Sequence, residues 1–254
     1  MKKIIVTLLI LLCSMNWAIA QSLSNNNNHK FTVGAFAGLN MPRLTGGGGN
    51  PLSENWTSRE GFAYGVTFSW NTGQHFAWRA DLLYSSEGGQ RNGMQGIDGQ
   101  AFNPEAPAGT YFYANFKNES ILNYLELPVM GKYSISLSKS SWFYVDLGPY
   151  VGIKLSARQK TSGSSIVYAD PEGKQPLSEG ALPFNSDENI KKSIKTLNMG
   201  ITGGIGLTQK AGPGMIVFDI RGAYGLTNIQ KYAKDGENHM GNLLLSLGYS
   251  IPLQ

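Results

Sequence analysis

The 254-residue chain has a single cysteine, Cys13, within its first twenty residues. One thiol can form neither an internal disulfide nor a cysteine metal cluster. Charge is also scarce: Asp, Glu, Lys and Arg make up 15% of the chain, with 21 basic residues against 17 acidic. So small an excess provides none of the concentrated positive surface that nucleic acid requires, and no nucleic-acid partner is expected. The three histidines, His29, His75 and His239, are far apart and fall in no HExxH-type spacing. They give no expected metal or catalytic set. The run Gly46–Gly49 is followed by neither Lys nor a helical pattern, so a phosphate loop is excluded there. No cofactor is expected.

Long apolar runs are missing beyond the N-terminus, and with them any transmembrane helix. At the N-terminus, Lys2 and Lys3 precede Ile4 to Leu12, and Ala18 to Ala20 end in small residues. That is the pattern of a secretory leader, too short to span a bilayer. Residues 1–20 are expected to be a signal peptide and residues 21–254 one barrel domain. Leu12 before Cys13 is too large for a lipoprotein cleavage site.

Glycine and aromatic residues are abundant, with 32 Gly and 11% Phe, Trp and Tyr. The stretch GFAYGVTFSW (Gly61 to Trp70) puts Phe62, Tyr64, Val66, Phe68 and Trp70 on one face and Ala63, Gly65, Thr67 and Ser69 on the other. A half-buried soluble strand carries long polar groups opposite its bulky face. Here the opposite face is small. Seven further stretches alternate in the same way, beginning near Lys30, His75, Ser120, Trp142, Asn198, Met215 and Met240.

The connections alternate between short and long. Asn71–Gln74, Leu137–Ser140 and Lys210–Gly214 are turns rich in Gly, Asn, Pro and Ser, whereas segments 41–58, 87–119, 157–197 and 228–239 are long. Repeated long loops do not suit a compact soluble domain. They suit an all-β, eight-stranded antiparallel up-and-down transmembrane β-barrel, with bulky residues on lipid and small ones inside. The expected location is the outer membrane, and its lipid is the first expected partner.

The inward faces gather Arg79, Asp81, Glu126, Lys132, Asp146, Lys154, Asp219 and Arg221, four basic and four acidic. Unpaired charges in so narrow a lumen cost several kcal/mol each, so these are expected to pair into a lumenal charge network that plugs the barrel. The loops Glu87–Asn118 and Arg158–Lys195 are expected to be mobile until bound, and to meet envelope or secretion proteins or extracellular ligands. Two alternatives remain. A soluble lipocalin-like barrel would need the bulky faces turned inward. A lipid-modifying enzyme would need His239 to act with Ser58 or Ser85.

YLELPVMGKY (Tyr124 to Tyr133), FTVGAFAGLN (Phe31 to Asn40) and the closing GYSIPL resemble the corresponding segments of PorT-like outer-membrane β-barrel proteins. The resemblance implies fold and place, with an envelope structural, adhesive or secretion-accessory role and no catalytic residues. One departure is the end, Leu253 and Gln254, where many barrels close on an aromatic residue.

Overall fold

The computed structural model describes residues 30–253. The expected leader, Cys13 and His29 therefore lie outside the described residues. The strands are β1 (Phe31–Asn40), β2 (Arg43–Gly46), β3 (Gly61–Asn71), β4 (Phe76–Asp98), β5 (Tyr111–Ser136), β6 (Ser141–Ser162), β7 (Ser164–Ser165), β8 (Leu182–Pro183), β9 (Ser186–Asn189), β10 (Leu197–Ala211), β11 (Gly214–Gly225) and β12 (Asn238–Leu253). A one-turn helix, α1 (Gly99–Phe102), follows β4.

Eight strands run in the order β1-β3-β4-β5-β6-β10-β11-β12, and β12 pairs back onto β1 from Phe31 opposite Leu253 to Asn40 opposite Leu244. Every pairing in this ring is antiparallel. The closed, eight-stranded up-and-down barrel is the expected one. Closure leaves no strand edge, so every barrel amide has a partner strand.

The alternation divides the two faces as expected. Phe62 is 52% exposed on the outside, while neighbouring Ala63 is 1% exposed on the inside. Leu125, Leu127 and Val129 on β5 and Ile201, Ile205 and Leu207 on β10 are likewise exposed. Glycine lets the wall draw in where a side chain has no room: a Cβ on Gly148 would lie 1.9 Å from the Val129 carbonyl oxygen. Even alanine there forces the β5–β6 seam apart.

The long connections differ from expectation. Instead of ending at the rim, the β4–β5 ladder continues from Glu87 opposite Leu122 to Asp98 opposite Tyr111. Likewise, β6 runs on to Ser162, pairing with β5 on one side and with β9 through Arg158 and Asn189 on the other. Much of Glu87–Asn118 and part of Arg158–Lys195 is therefore paired strand. The cause is that period-2 structure outlasts the apolar face: beyond the rim polar residues such as Gln90, Asn92, Lys117 and Glu119 sit on the ladder, and backbone pairing needs no apolar partner.

Candidate functional site

Five inward charges meet across the barrel at mid-height. Arg79 Nε donates to Asp81 Oδ1 at 3.0 Å, and its Nη1 reaches Asp146 Oδ2 and Asp219 Oδ2, each at 3.0 Å. Arg221 donates to Asp81 Oδ2 at 2.8 Å and to Asp219 Oδ2 at 2.7 Å. All five side chains are buried. Two guanidiniums thus hold three carboxylates in fork-like contacts, which suit planar donors far better than a single amine would.

Local sequence makes the room. Arg221 lies opposite Gly204, and Tyr144 packs its ring against Gly206, where a Cβ would come within 2.2 Å of Tyr144 Cζ. The Tyr144 hydroxyl accepts from Arg79 Nη1 at 3.3 Å. Lys132 brings a third cation, its amine 3.9 Å from the centroid of the Tyr144 ring, without an ion pair among the described residues. Below this layer, towards the tight turns, a cavity of about 780 Å³ is lined by Thr32, Thr67, Ser69, Lys132 and Thr208.

The other two inward charges lie higher. Glu126 is buried and opposite Leu83 and Gly152, with no ion pair among the described residues. Lys154 donates to the backbone carbonyls of Lys191, at 2.6 Å, and Ile194, so it fastens the segment that leads into β10. Losing these two charged bonds removes on the order of 3–6 kcal/mol of local anchoring. Lys154→Met is accordingly expected to speed trypsin cleavage after Lys191 and Lys192 while the barrel stays SDS-resistant.

A second polar knot, outside the eight expected lumenal charges, lies at the loop end. Glu87 Oε1 accepts from Asn40 Nδ2 at 2.9 Å, from Asn242 Nδ2 at 2.7 Å and from the Ser85 hydroxyl. Arg59 lies above it, donating to the Glu87 carbonyl at 3.2 Å and pairing with Glu119 at 3.1 Å. The signal was present, since Glu87 follows Arg79, Asp81 and Ser85 on the same odd-numbered face. Glu87 nevertheless falls in the segment expected to be a loop, 87–119, and the structure makes it strand.

Beyond this knot the loops fold into an apolar cap. Leu44, Trp56, Leu122, Tyr124, Ala157, Ile194, Ile229 and Met240 form one buried cluster, with Ile190 packed against it. Arg91 lies over the Trp56 ring at 4.6 Å and donates to the Pro51 and Glu54 carbonyls. Burial pulls its guanidinium down to about 10, against the opposing pull of Glu54. Side chains from separate stretches of chain thereby pack together between the long connections.

Among the described residues, His239 is hydrogen-bonded to neither Ser58 nor Ser85. Its Nδ1 lies 3.1 Å from the Gly225 carbonyl and its Nε2 3.2 Å from Glu237 Oε1, while Ser85 belongs to the Glu87 knot and the Ser58 carbonyl accepts from Gln90. Among the described residues no three His, Cys, Asp or Glu side chains gather as metal ligands.

The family model described as outer membrane protein beta-barrel domain matches residues 19–231. The chain belongs to that family. This outer-membrane barrel is similar in fold to Ail, the attachment invasion locus protein of Yersinia pestis, solved with the heparin analogue sucrose octasulfate, at 12% identity and a TM-score of 0.39 over 87% of this chain and 99% of that one. It is also similar to Neisserial surface protein A, at 13% identity and 0.39 over 88% and 97%, and to the outer membrane enzyme PagL, at 16% and 0.36 over 87% and 99%. No curated protein matches the chain.

The outer-membrane barrel therefore exposes its bulky face to lipid, with the long connections outside and the tight turns in the periplasm. Depth should set the cost of charge on that face. Val66 lies midway between Phe62 and Trp70 on β3. Val66→Arg is expected to destabilise the folded barrel by about 2–4 kcal/mol, and Trp70→Arg near the interface by about 0–1 kcal/mol, in urea titrations in vesicles. Equal costs would mean that the membrane band is misplaced.

Proposed function

We propose that the protein is a PorT-like envelope component whose barrel is a plugged scaffold and whose outer surface carries the function, in a structural, adhesive or secretion-accessory role without enzymatic chemistry. One observation carries this reading: the lumen is crossed by the Arg79–Arg221 ion network and capped again by the apolar cluster around Leu122. Solute passage would have to break both. What projects into the surroundings is the β4–β5 hairpin, with α1 at its tip, and the β6–β9 segment. Both are pre-ordered, so binding there costs less conformational entropy than ordering a free loop. The partners are outer-membrane lipid around the wall and envelope or secretion proteins or extracellular ligands at these hairpins. Residues 1–20 serve as the leader that delivers the chain.

Trimming the hairpin beyond the Glu87 knot, across residues 93–116, tests the reading. Heat modifiability, the faster gel migration of an unboiled closed barrel, is expected to persist while any surface phenotype of the gene is lost. An unchanged phenotype would return the function to the barrel wall or lumen.

A further inference from the structure

Four lysines stand together where the barrel leaves the outer leaflet. Lys191, Lys192 and Lys195 precede β10, and Lys231 lies in the β11–β12 connection; all four are exposed. The backbone holds their two segments side by side. Ile194 bridges to Gln230, the Lys195 amide donates to the Ile229 carbonyl at 2.8 Å, and the Lys231 amide donates to the Ser193 carbonyl at 2.9 Å. Lys154, buried in the wall, fastens Lys191 and Ile194 from within. The Lys191 and Lys231 amines both lie within electrostatic reach of the Lys154 amine.

Like charges have thus been gathered by backbone bonds that oppose their repulsion. Of the acids in the flanking chain, Asp187 pairs with Arg158, Glu188 accepts from the Ser186 hydroxyl and Glu237 lies against His239. None of the four lysines makes an ion pair among the described residues. Their height identifies the missing anion. Lys195 enters β10 through a bend at Thr196, and Leu197, Met199, Tyr224 and Leu226, at the adjoining ends of β10 and β11, are exposed on the lipid face. The step from apolar side chains to amines falls where a leaflet passes from acyl chain to headgroup, and long lysine stems suit that boundary.

We propose that Lys191, Lys192, Lys195 and Lys231 form a binding site for the phosphate groups of phosphorylated outer-leaflet lipid. Such a lipid would lay its acyl chains along Leu197 and Leu226 and bring its phosphates among the amines. The site is independent of the lumen and of the projecting hairpin.

The test uses the folded, full-length barrel in neutral detergent, titrated with bisphosphorylated lipid A or the same lipid after phosphate removal. The wild type is expected to bind the phosphorylated form at least tenfold more tightly. The Lys→Gln variant at all four positions should lose that preference, a loss of at most about 600-fold, since each amine near a charged surface is worth about fivefold. The Lys→Arg variant at the same positions should keep it, and Lys174→Gln, at a remote loop, should behave as wild type. Heat modifiability confirms that each variant is folded. Equal binding of the two lipids, or an undiminished preference in the Gln variant, overturns the proposal. Gln-sensitive binding of a soluble polysulfate by a protein with no preference between the lipids overturns it too, by naming a soluble polyanion as the occupant.

Discussion

Arg79→Met is expected to destabilise the folded barrel by about 3–5 kcal/mol, because it leaves three buried carboxylates with one guanidinium between them. Arg79 contacts Asp81, Asp146 and Asp219, and after its loss Arg221 is the one ion-pair partner left to this trio among the described residues. Met fills a similar volume, so the loss reports charge more than packing. Arg79→Lys should recover only part of the stability, since one amine cannot reproduce the planar fork that serves three acids. Urea-dependent unfolding in vesicles, followed by tryptophan fluorescence and by gel mobility, provides the measurement. A change below about 1 kcal/mol, the range of an exposed pair, would mean that water reaches these groups and that the network is no plug.

Leu122→Ala is expected to cost about 2–5 kcal/mol, the range for removing a buried leucine from a packed core, but to spend it locally. Leu122 is fully buried beside Tyr124 of its own strand and among Trp56, Ile194 and Ile229, which come from separate connections. The cap should loosen while the ring of strands below it stays closed. Proteases should then cut within residues 47–58 and 190–196 at concentrations that spare the wild type, with SDS resistance intact. Loss of SDS resistance in this variant would show that the cap and the barrel fold as one unit.

The face of each strand was legible from Phe62 through Trp70, because a period of two leaves no ambiguity once one side is bulky and the other small. Height was not. Alternation says that Glu126 and Lys154 point inward with Asp81 and Asp146, yet cross-strand register sets the level at which each arrives. Glu126 faces Gly152 and Lys154 faces Tyr124, both closer to the loop end than the pairing of Lys132 with Asp146. Register depends on closure of the whole ring, which no single segment encodes. The cap was hidden for a related reason: Trp56, Ile194 and Ile229 are isolated apolar residues in irregular chain, and only tertiary contact makes them a core. Asn40 and Glu87 carried a readable signal, since both continue inward-facing series beyond the apolar stretch.

Planar-bilayer recording of the purified, folded protein tests the closed lumen most directly. Eight strands leave an interior just wide enough for side chains, and here ion pairs and an apolar cap occupy two levels of it. The wild type is expected to show no stable conductance, and the Leu122→Ala variant, which keeps the Arg79–Arg221 network, is expected to remain equally silent. Steady open channels from the wild type would contradict the account.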